Sequence, residues 1–261
     1  MSEIAKRFDD GAAYERMMGA WSRLVGAQFL DWLAVPTGLR CLDVGCGNGA
    51  FTGLLIERCA PAKIVGIDPS PAQLEFARRR ADARLAEFQQ GDASALPFAA
   101  GSFDLATMAL VISFVPDPVK AVAEMVRAVT PGGTIAAYMW DLPGDGSPLA
   151  PIDLELRAMN LGGARAPNIA AATTAALRDL WTGAGLAAVK TRVMAAERSF
   201  ADFDEFWDVA VAGTLLKQAI AAMDSATVER LKGRVRANLP ADGAGRITYR
   251  SRANAVKGRV P

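Results

Sequence analysis

The side chains best suited to chemistry fall at three points of the chain. Asp43-Val44-Gly45-Cys46-Gly47-Asn48-Gly49 sets a carboxylate just before a run of alternating glycines. Asp68 closes the apolar run that begins at Lys63, and Asp92 follows Gly91. Glycines between an apolar run and a helical pattern permit positive φ and let a ligand approach the backbone closely. The helix that follows directs free N–H groups and its positive dipole end at the same spot. Ionised carboxylates only accept hydrogen bonds, so they suit ribose hydroxyls, amino groups or a cationic centre. The spacing describes a loop that binds a small polar ligand.

Two ligand classes compete for that loop. Gly45-x-Gly47-x-x-Ala50 fits the dinucleotide fingerprint, with Asp68 placed to hold a ribose hydroxyl, so an NAD(P)-dependent oxidoreductase is an open alternative. A phosphate-binding loop of the Gly-Lys-Ser/Thr kind is excluded, because no such triplet follows. Asp43, on the ligand-facing end of its strand, repels a pyrophosphate and suits a sulfonium and an ammonium group. Asp92 reaches the sheet edge where ligands bind in doubly wound folds, and can accept from an adenine amino group while the N–H of Ala93 serves a ring nitrogen.

Composition removes other chemistries. The chain has no histidine, which excludes Ser-His-Asp and Cys-His mechanisms and argues against a zinc hydrolase. A general base would have to come from Tyr138, Asp141 or Asp208. Asp141, after a strand at the ligand edge, is the catalytic candidate. Trp140, Phe200, Phe203, Phe206 and Trp207 are equally readable as an apolar acceptor pocket or as core. Cys41, Cys46 and Cys59 lack metal-ligand spacing and fit buried thiols in a reducing cytoplasm. A formal charge of +1 offers no electrostatic footprint for nucleic acid, and Arg78, Arg79, Arg80 and Arg84 read as a solvated helix face. Apolar residues make up 51% of the chain but never form the run of roughly 18 that a membrane span needs. The opening residues mix both charges, without the apolar core of a signal peptide, so a cytoplasmic protein is expected.

The elements that must position these residues follow from periodicity. Residues 11–34 repeat apolar side chains at three- and four-residue spacing, with Gly19 interrupting, and predict two short helices meeting at a bend. Strands are predicted at 40–44, 63–68, 86–90, 103–111 and 134–140, alternating with helices at 48–58, 71–83 and 118–129. Ser70, Pro71 and Gln73 form a helix-start signal with a capping box, and Pro131-Gly132-Gly133 predicts a turn. Beyond Trp140 come helices at 152–159, 174–184, 203–223 and 226–239, and strands at 188–194 and from Ile247. The last strand should put Ile247, Tyr249, Ser251 and Ala253 on one face and Arg250, Arg252 and Asn254 on the other. Strands separated by helices imply a parallel, Rossmann-like doubly wound sheet. The economical organisation is one domain: a helical cap (1–37), a cofactor-binding core (38–141), and an acceptor-side insertion with C-terminal strands (142–261).

These motifs, in this order, resemble those of class I S-adenosylmethionine-dependent methyltransferases, and the chain is similar to the ubiquinone/menaquinone-biosynthesis C-methyltransferases. The resemblance runs over about residues 10–141, through Asp43–Gly49, Gly66–Ser70, Gly91–Ala93, Phe103–Leu105 with Val115–Asp117, and Pro131–Gly133. It implies a seven-stranded sheet of order 3-2-1-4-5-7-6 with the last strand antiparallel. It also implies S-adenosyl-L-methionine as cofactor and S-adenosyl-L-homocysteine as product. Gly45, Gly47 and Gly49 would admit the methionine part and ribose, and Asp68 would hold the ribose hydroxyls. Pro69 and Gln73 would pack near the adenine, whose edge Asp92 and Ala93 would read. Leu110 would offer its carbonyl to the methionine amino group, and Tyr14, Met18 and Trp21 would cover the cofactor. The implied reaction is in-line methyl transfer to a small-molecule acceptor, with positioning and desolvation supplying most of the rate. The family often carries histidines just after the fourth strand, where this chain has Ser113-Phe114. A non-catalytic S-adenosylmethionine-binding protein is a further alternative.

Overall fold

The fold is taken from a computed structural model that describes residue 12 and residues 15–162 and 166–261. Short apolar runs bounded by glycine or proline fold as the inner strands β1 (Arg40–Val44), β2 (Lys63–Asp68) and β4 (Phe103–Ala109), and the polar Glu87–Gln90 pairs at the sheet edge as β3. With β5 (Val129–Trp140), β6 (Ala187–Phe200) and β7 (Ile247–Arg259) they form one sheet of order β3-β2-β1-β4-β5-β7-β6. β1 to β5 are mutually parallel, while β7 runs antiparallel to both β5 and β6. The order reverses between β1 and β4, and crevices open at the carboxyl ends of strands at such a reversal.

The helices are α1 (Ala20–Leu33), α2 (Ala50–Cys59), α3 (Pro71–Arg79), α4 (Pro118–Ala128) and α5 (Ala150–Ala158). They continue with α6 (Thr174–Gly183), α7 (Phe203–Ala210), α8 (Thr214–Ala221) and α9 (Ser225–Asn238). A π-helical turn, Glu15–Gly19, precedes α1, so the helical path changes at the expected Gly19. Sequence-encoded caps set several starts. Asp117 accepts from Lys120 N at the head of α4, and Thr173 from Ala176 N at the head of α6.

Three departures from the predicted elements have physical causes. Pro131-Gly132-Gly133 does not end a helix and start a strand. It forms a bulge inside β5, where the register jumps from Phe103↔Val129 to Leu105↔Thr134. β6 runs well past Met194 to Phe200, because residues 187–200 contain no glycine or proline and pair with β7 as far as Phe200↔Ile247. The alternation in β7 holds to Ala253 and then stops, since the strand passes between β5 and β6. Asn254, expected on the outer face, is buried and donates to Ala172 O at 2.8 Å.

Two aromatic groups anchor the core. Tyr138 packs on Phe29 and Phe51 with ring centroids 4.7 and 5.7 Å away. Trp21, Phe200, Phe206 and Tyr249 form the second group, each ring within 6.5 Å of another. Trp181 is fully buried and donates its indole N–H to Ile135 O, tying α6 to β5. No helix of the described residues is long and apolar enough to cross a membrane.

Candidate functional site

The glycine loop is pinned to β2 before any ligand is considered. The N–H groups of Gly45 and Cys46 both donate to Ile67 O, at 2.8 and 3.1 Å, and Gly47 N donates to Asp68 Oδ2 at 2.9 Å. Gly49 N donates to Cys46 O, and Ala50 N to Asn48 Oδ1. Those five N–H groups are therefore spent inside the protein. A loop that cradles a pyrophosphate must aim its N–H groups outward, and this one does not.

The three glycines serve different ends. A Cβ on Gly45, at φ +74°, would lie 2.6 Å from the Val111 side chain. A Cβ on Gly49, at φ +78°, would press on Ala77 at 3.0 Å, so Gly49 permits α2 to pack on α3 and does not form the cavity wall. At Gly47, φ +52°, a Cβ would meet only Gln73 Oε1 at 4.0 Å, so its bare face borders open cavity.

That cavity, about 890 Å³, lies at the carboxyl edge of β1, β2, β4 and β5. Asp43, fully buried at the end of β1, forms part of its wall. Thr52 Oγ1 donates to Asp43 Oδ2 at 2.7 Å, and Thr107 Oγ1 lies 3.4 Å from Oδ1. No cation pairs with it among the described residues, and burial pushes its carboxyl up to about 7 despite the two hydroxyls. A buried carboxylate that lacks a cation fits a cationic ligand. Asp68 Oδ2 and Oδ1 accept from Gly47 N and Ser70 N, at 2.9 and 2.8 Å, and burial raises its pKa. Each oxygen keeps a lone pair for a ligand hydroxyl. Ser70 N, taken by Asp68, is not capped by Gln73 as the capping box predicts. The other half of the box forms as predicted: Gln73 donates its backbone N–H to Ser70 Oγ, and Gln73 also lines the cavity.

Pro69, Asp92, Ala93 and Leu110 also reach the wall. Asp92 Oδ1 accepts from Ser94 N at 2.7 Å, which fixes the turn that presents it. Leu110 holds a left-handed φ of +62° with its N–H on Tyr138 O at 2.8 Å. Met18 lines the cavity from the π-helical turn. Tyr14 lies outside the described residues. Trp21 does not reach the wall: its ring packs against Phe200 and Tyr249. Phe200, Phe203, Phe206 and Trp207 are likewise core, whereas Trp140 lines the cavity.

Asp141 is also corrected. It lies off the wall and shapes a loop: its Oδ1 accepts from Gly144 N at 3.2 Å, its carbonyl from Gly146 N, and its Oδ2 pairs with Arg252 at 3.2 Å. Asp208 is exposed and does not line the wall. Sequence reasoning missed Asn48, buried on the wall, and the Thr52 and Thr107 hydroxyls on Asp43. Hydroxyls inside otherwise apolar runs were the available signal. It also missed Asp145, Asp153 and Arg157, which line the far end. The described wall thus carries five carboxylates (Asp43, Asp68, Asp92, Asp145, Asp153) against the single cation Arg157. Such a wall disfavours a dinucleotide's pyrophosphate and favours a cation.

Comparison with known proteins converges on the same point. Residues 42–137 match the methyltransferase domain family. The demethylmenaquinone methyltransferase of Thermus thermophilus is 36% identical over 153 residues, 56% of this chain and 66% of that protein. The 2-phytyl-1,4-naphtoquinone methyltransferase of Thermosynechococcus vestitus is 40% identical over 116 residues, 44% of this chain and 52% of that protein. The match thus spans about half to two thirds of these relatives' length. Phosphoethanolamine N-methyltransferase 2 of Haemonchus contortus, solved with S-adenosyl-L-methionine, shares the fold at TM-score 0.60 and 16% identity, covering 100% of this chain and 60% of that one. Through its central domain, the chain belongs to the class I S-adenosylmethionine-dependent methyltransferases.

Proposed function

We propose that this protein transfers the methyl group of S-adenosylmethionine to a small, largely apolar acceptor, leaving S-adenosylhomocysteine. The observation that carries the reading is Asp43, a buried wall carboxylate held by hydroxyls and paired with no cation among the described residues. The cofactor supplies a methyl group on a cationic sulfur, ready for displacement. The residues position it: Asp43 and the Leu110 carbonyl face the charged methionine end, Asp68 takes the ribose hydroxyls, and Asp92 with Ala93 reads the adenine edge. At about 890 Å³ the cavity is near the top of the range of roughly 300–1,000 Å³ for small-molecule sites, which supports two ligands side by side. Past the loop it is lined by Val111, Phe114, Met139, Trp140, Leu156 and Ile169, an apolar acceptor compartment. The relatives' names point to quinone rings as acceptors, and this lining suits such rings. With Asp141 and Asp208 off the wall, Tyr138 is the base candidate that still lines the cavity, and orientation and exclusion of water supply most of the rate.

Glu15 latches the helical cap to the loop. Its Oε2 accepts from Asn48 Nδ2 and from Arg80 Nη1, both at 3.0 Å, and Arg80 also pairs with Asp82 at 2.9 Å. Glu15→Ala is expected to speed S-adenosylhomocysteine dissociation about three- to tenfold, the worth of one or two hydrogen bonds. Stopped-flow fluorescence would read this. An unchanged rate would show that the cap is held by packing alone.

The function itself is tested by thermal shift and calorimetry with S-adenosylmethionine, S-adenosylhomocysteine and NAD(H), followed by labelled-methyl transfer to a panel that includes quinols. Saturable NAD(H) binding with no response to the adenosyl ligands would overturn the reading. Tight adenosyl-ligand binding without turnover on the panel would favour a non-catalytic binder.

A further inference from the structure

The geometry points to Arg157 as the specificity-determining residue of the acceptor compartment, holding an acidic oxygen group (carboxylate or phenolate) carried by an otherwise apolar acceptor. The inference rests on the two-ligand cavity proposed above and names what its far end selects. Arg157 is the only cation on the described wall. Its Nη2 donates to Asp145 Oδ1 at 2.7 Å, and its side chain makes no other hydrogen bond among the described residues. A guanidinium offers five N–H donors in a planar fork that matches carboxylate geometry. Most of that fork is therefore available, at a side chain still 37% exposed.

The surroundings hold the group in place. On the other side of α5, buried Glu155 accepts from Arg234 Nε at 2.5 Å and Asn238 Nδ2 at 2.6 Å, fastening the helix to α9. Asp145 sits in a left-handed conformation, φ +51°, which for a non-glycine residue persists only where its surroundings enforce it. The enforcing groups are those that displaced Asp141 from a catalytic role. Arg252 Nη2 donates to Gly144 O at 2.8 Å, its backbone N–H to Gly146 O, and Asp141 caps the same turn. The loop after β5 thus brings Asp145 to the Arg157 guanidinium at the cavity, whose far end also carries Asp153. With Asp145 orienting the fork, an acceptor anion would meet directed donors, while the apolar wall buries the rest of the molecule. Because Arg157 lies on α5, away from the glycine loop, its role is to hold the acceptor and leave the nucleophilic atom to face the methyl donor.

Three probes of one shape test this by calorimetry on protein loaded with S-adenosylhomocysteine: 2-naphthoate, neutral 2-naphthamide and 2-naphthylmethylammonium. Naphthoate should bind best. Arg157→Ala should weaken naphthoate about tenfold to a hundredfold, the worth of a charge-assisted hydrogen bond, and change naphthamide less than threefold. Arg157→Lys should recover part of the loss, because it restores charge without the fork. Asp145→Asn, which removes the competing anion, should tighten naphthoate and guards against a folding defect in the alanine variant. Preference for the ammonium probe, an unchanged naphthoate affinity in Arg157→Ala, no tightening in Asp145→Asn, or no binding by any probe would each overturn the assignment. S-adenosylhomocysteine affinity, measured in the same samples, separates the two ideas. If it fails to bind, the methyltransferase reading falls, while the probes on unloaded protein still report on Arg157.

Discussion

Asp43→Asn is expected to weaken S-adenosylmethionine binding about a hundredfold at pH 8 and to flatten its dependence on pH. The buried carboxyl is pushed up to about 7 by desolvation, so below that pH the free protein holds a proton there. A cationic ligand needs the carboxylate, so binding must expel the proton. The wild-type Kd should therefore fall as pH rises from 5.5, by at most about tenfold per unit, and level off above about 7. Asparagine carries no titrating proton, so its Kd should stay level between pH 5.5 and 7.5. The sign for stability is opposite. Between the ordinary aspartate range and about 7 the unfolded chain has lost the proton and the folded chain has kept it. Wild-type stability therefore falls as pH rises through that window and is lowest above it. The ligand-free variant should then melt no lower than wild type at pH 8, although it binds the cofactor poorly. Calorimetry across pH with paired melting curves checks both signs. A Kd that keeps the wild-type slope in the asparagine variant would remove Asp43 from the cationic site.

Where local pattern and tertiary contact agree, the sequence was readable. β1 and β2 fall at their predicted bounds because each is a short apolar run closed by a glycine turn or an Asp-Pro step, and each pairs with the next strand in the chain. Ser70 and Asp117 start helices as their side chains require. β6 was cut short because its second half is specified by β7, about 50 residues later, through pairs such as Glu197↔Arg250 that carry no local apolar alternation. Met18 and Trp21 show the same limit in the site. Helical spacing says that both are turned inward. It does not say that the cavity ends between them, because the rings of Phe200 and Tyr249 that claim Trp21 come from distant segments. Asp141 failed in kind: strand-end position made it a fair base, but its partner Arg252 arrives from 111 residues away. The proposed cofactor half was legible because one loop and three strand ends supply it. The far end of the proposed acceptor compartment comes from the segments after Trp140, where Asp145 and Arg157 have no motif to mark them.

Asp68→Ala is expected to cost both the cofactor and part of the fold, and the two losses can be separated. The carboxylate accepts from Gly47 N and Ser70 N, so it fastens the glycine loop to the head of α3 while facing the cavity. Alanine leaves both N–H groups without an acceptor. At roughly 1 kcal/mol for each lost bond and about 2–4 °C per kcal/mol for a chain of this size, the melting temperature should drop by about 4–8 °C. Loss of the ribose contact and of the ordered loop together should weaken S-adenosylhomocysteine by more than about a hundredfold, the worth of two charge-assisted hydrogen bonds. Asp68→Asn divides these effects. Its single carbonyl oxygen can serve one of the two N–H groups, so roughly half of the melting loss should return. Its amide offers donors where a ribose diol needs acceptors, so binding should stay weak. Adenosine, which keeps the ribose and base but has no charged tail, supplies the remaining contrast: Asp68 variants should lose it and Asp43→Asn should not. A ribose-holding role for Asp68 does not survive if the alanine variant binds adenosine within threefold of wild type, whatever happens to its melting temperature.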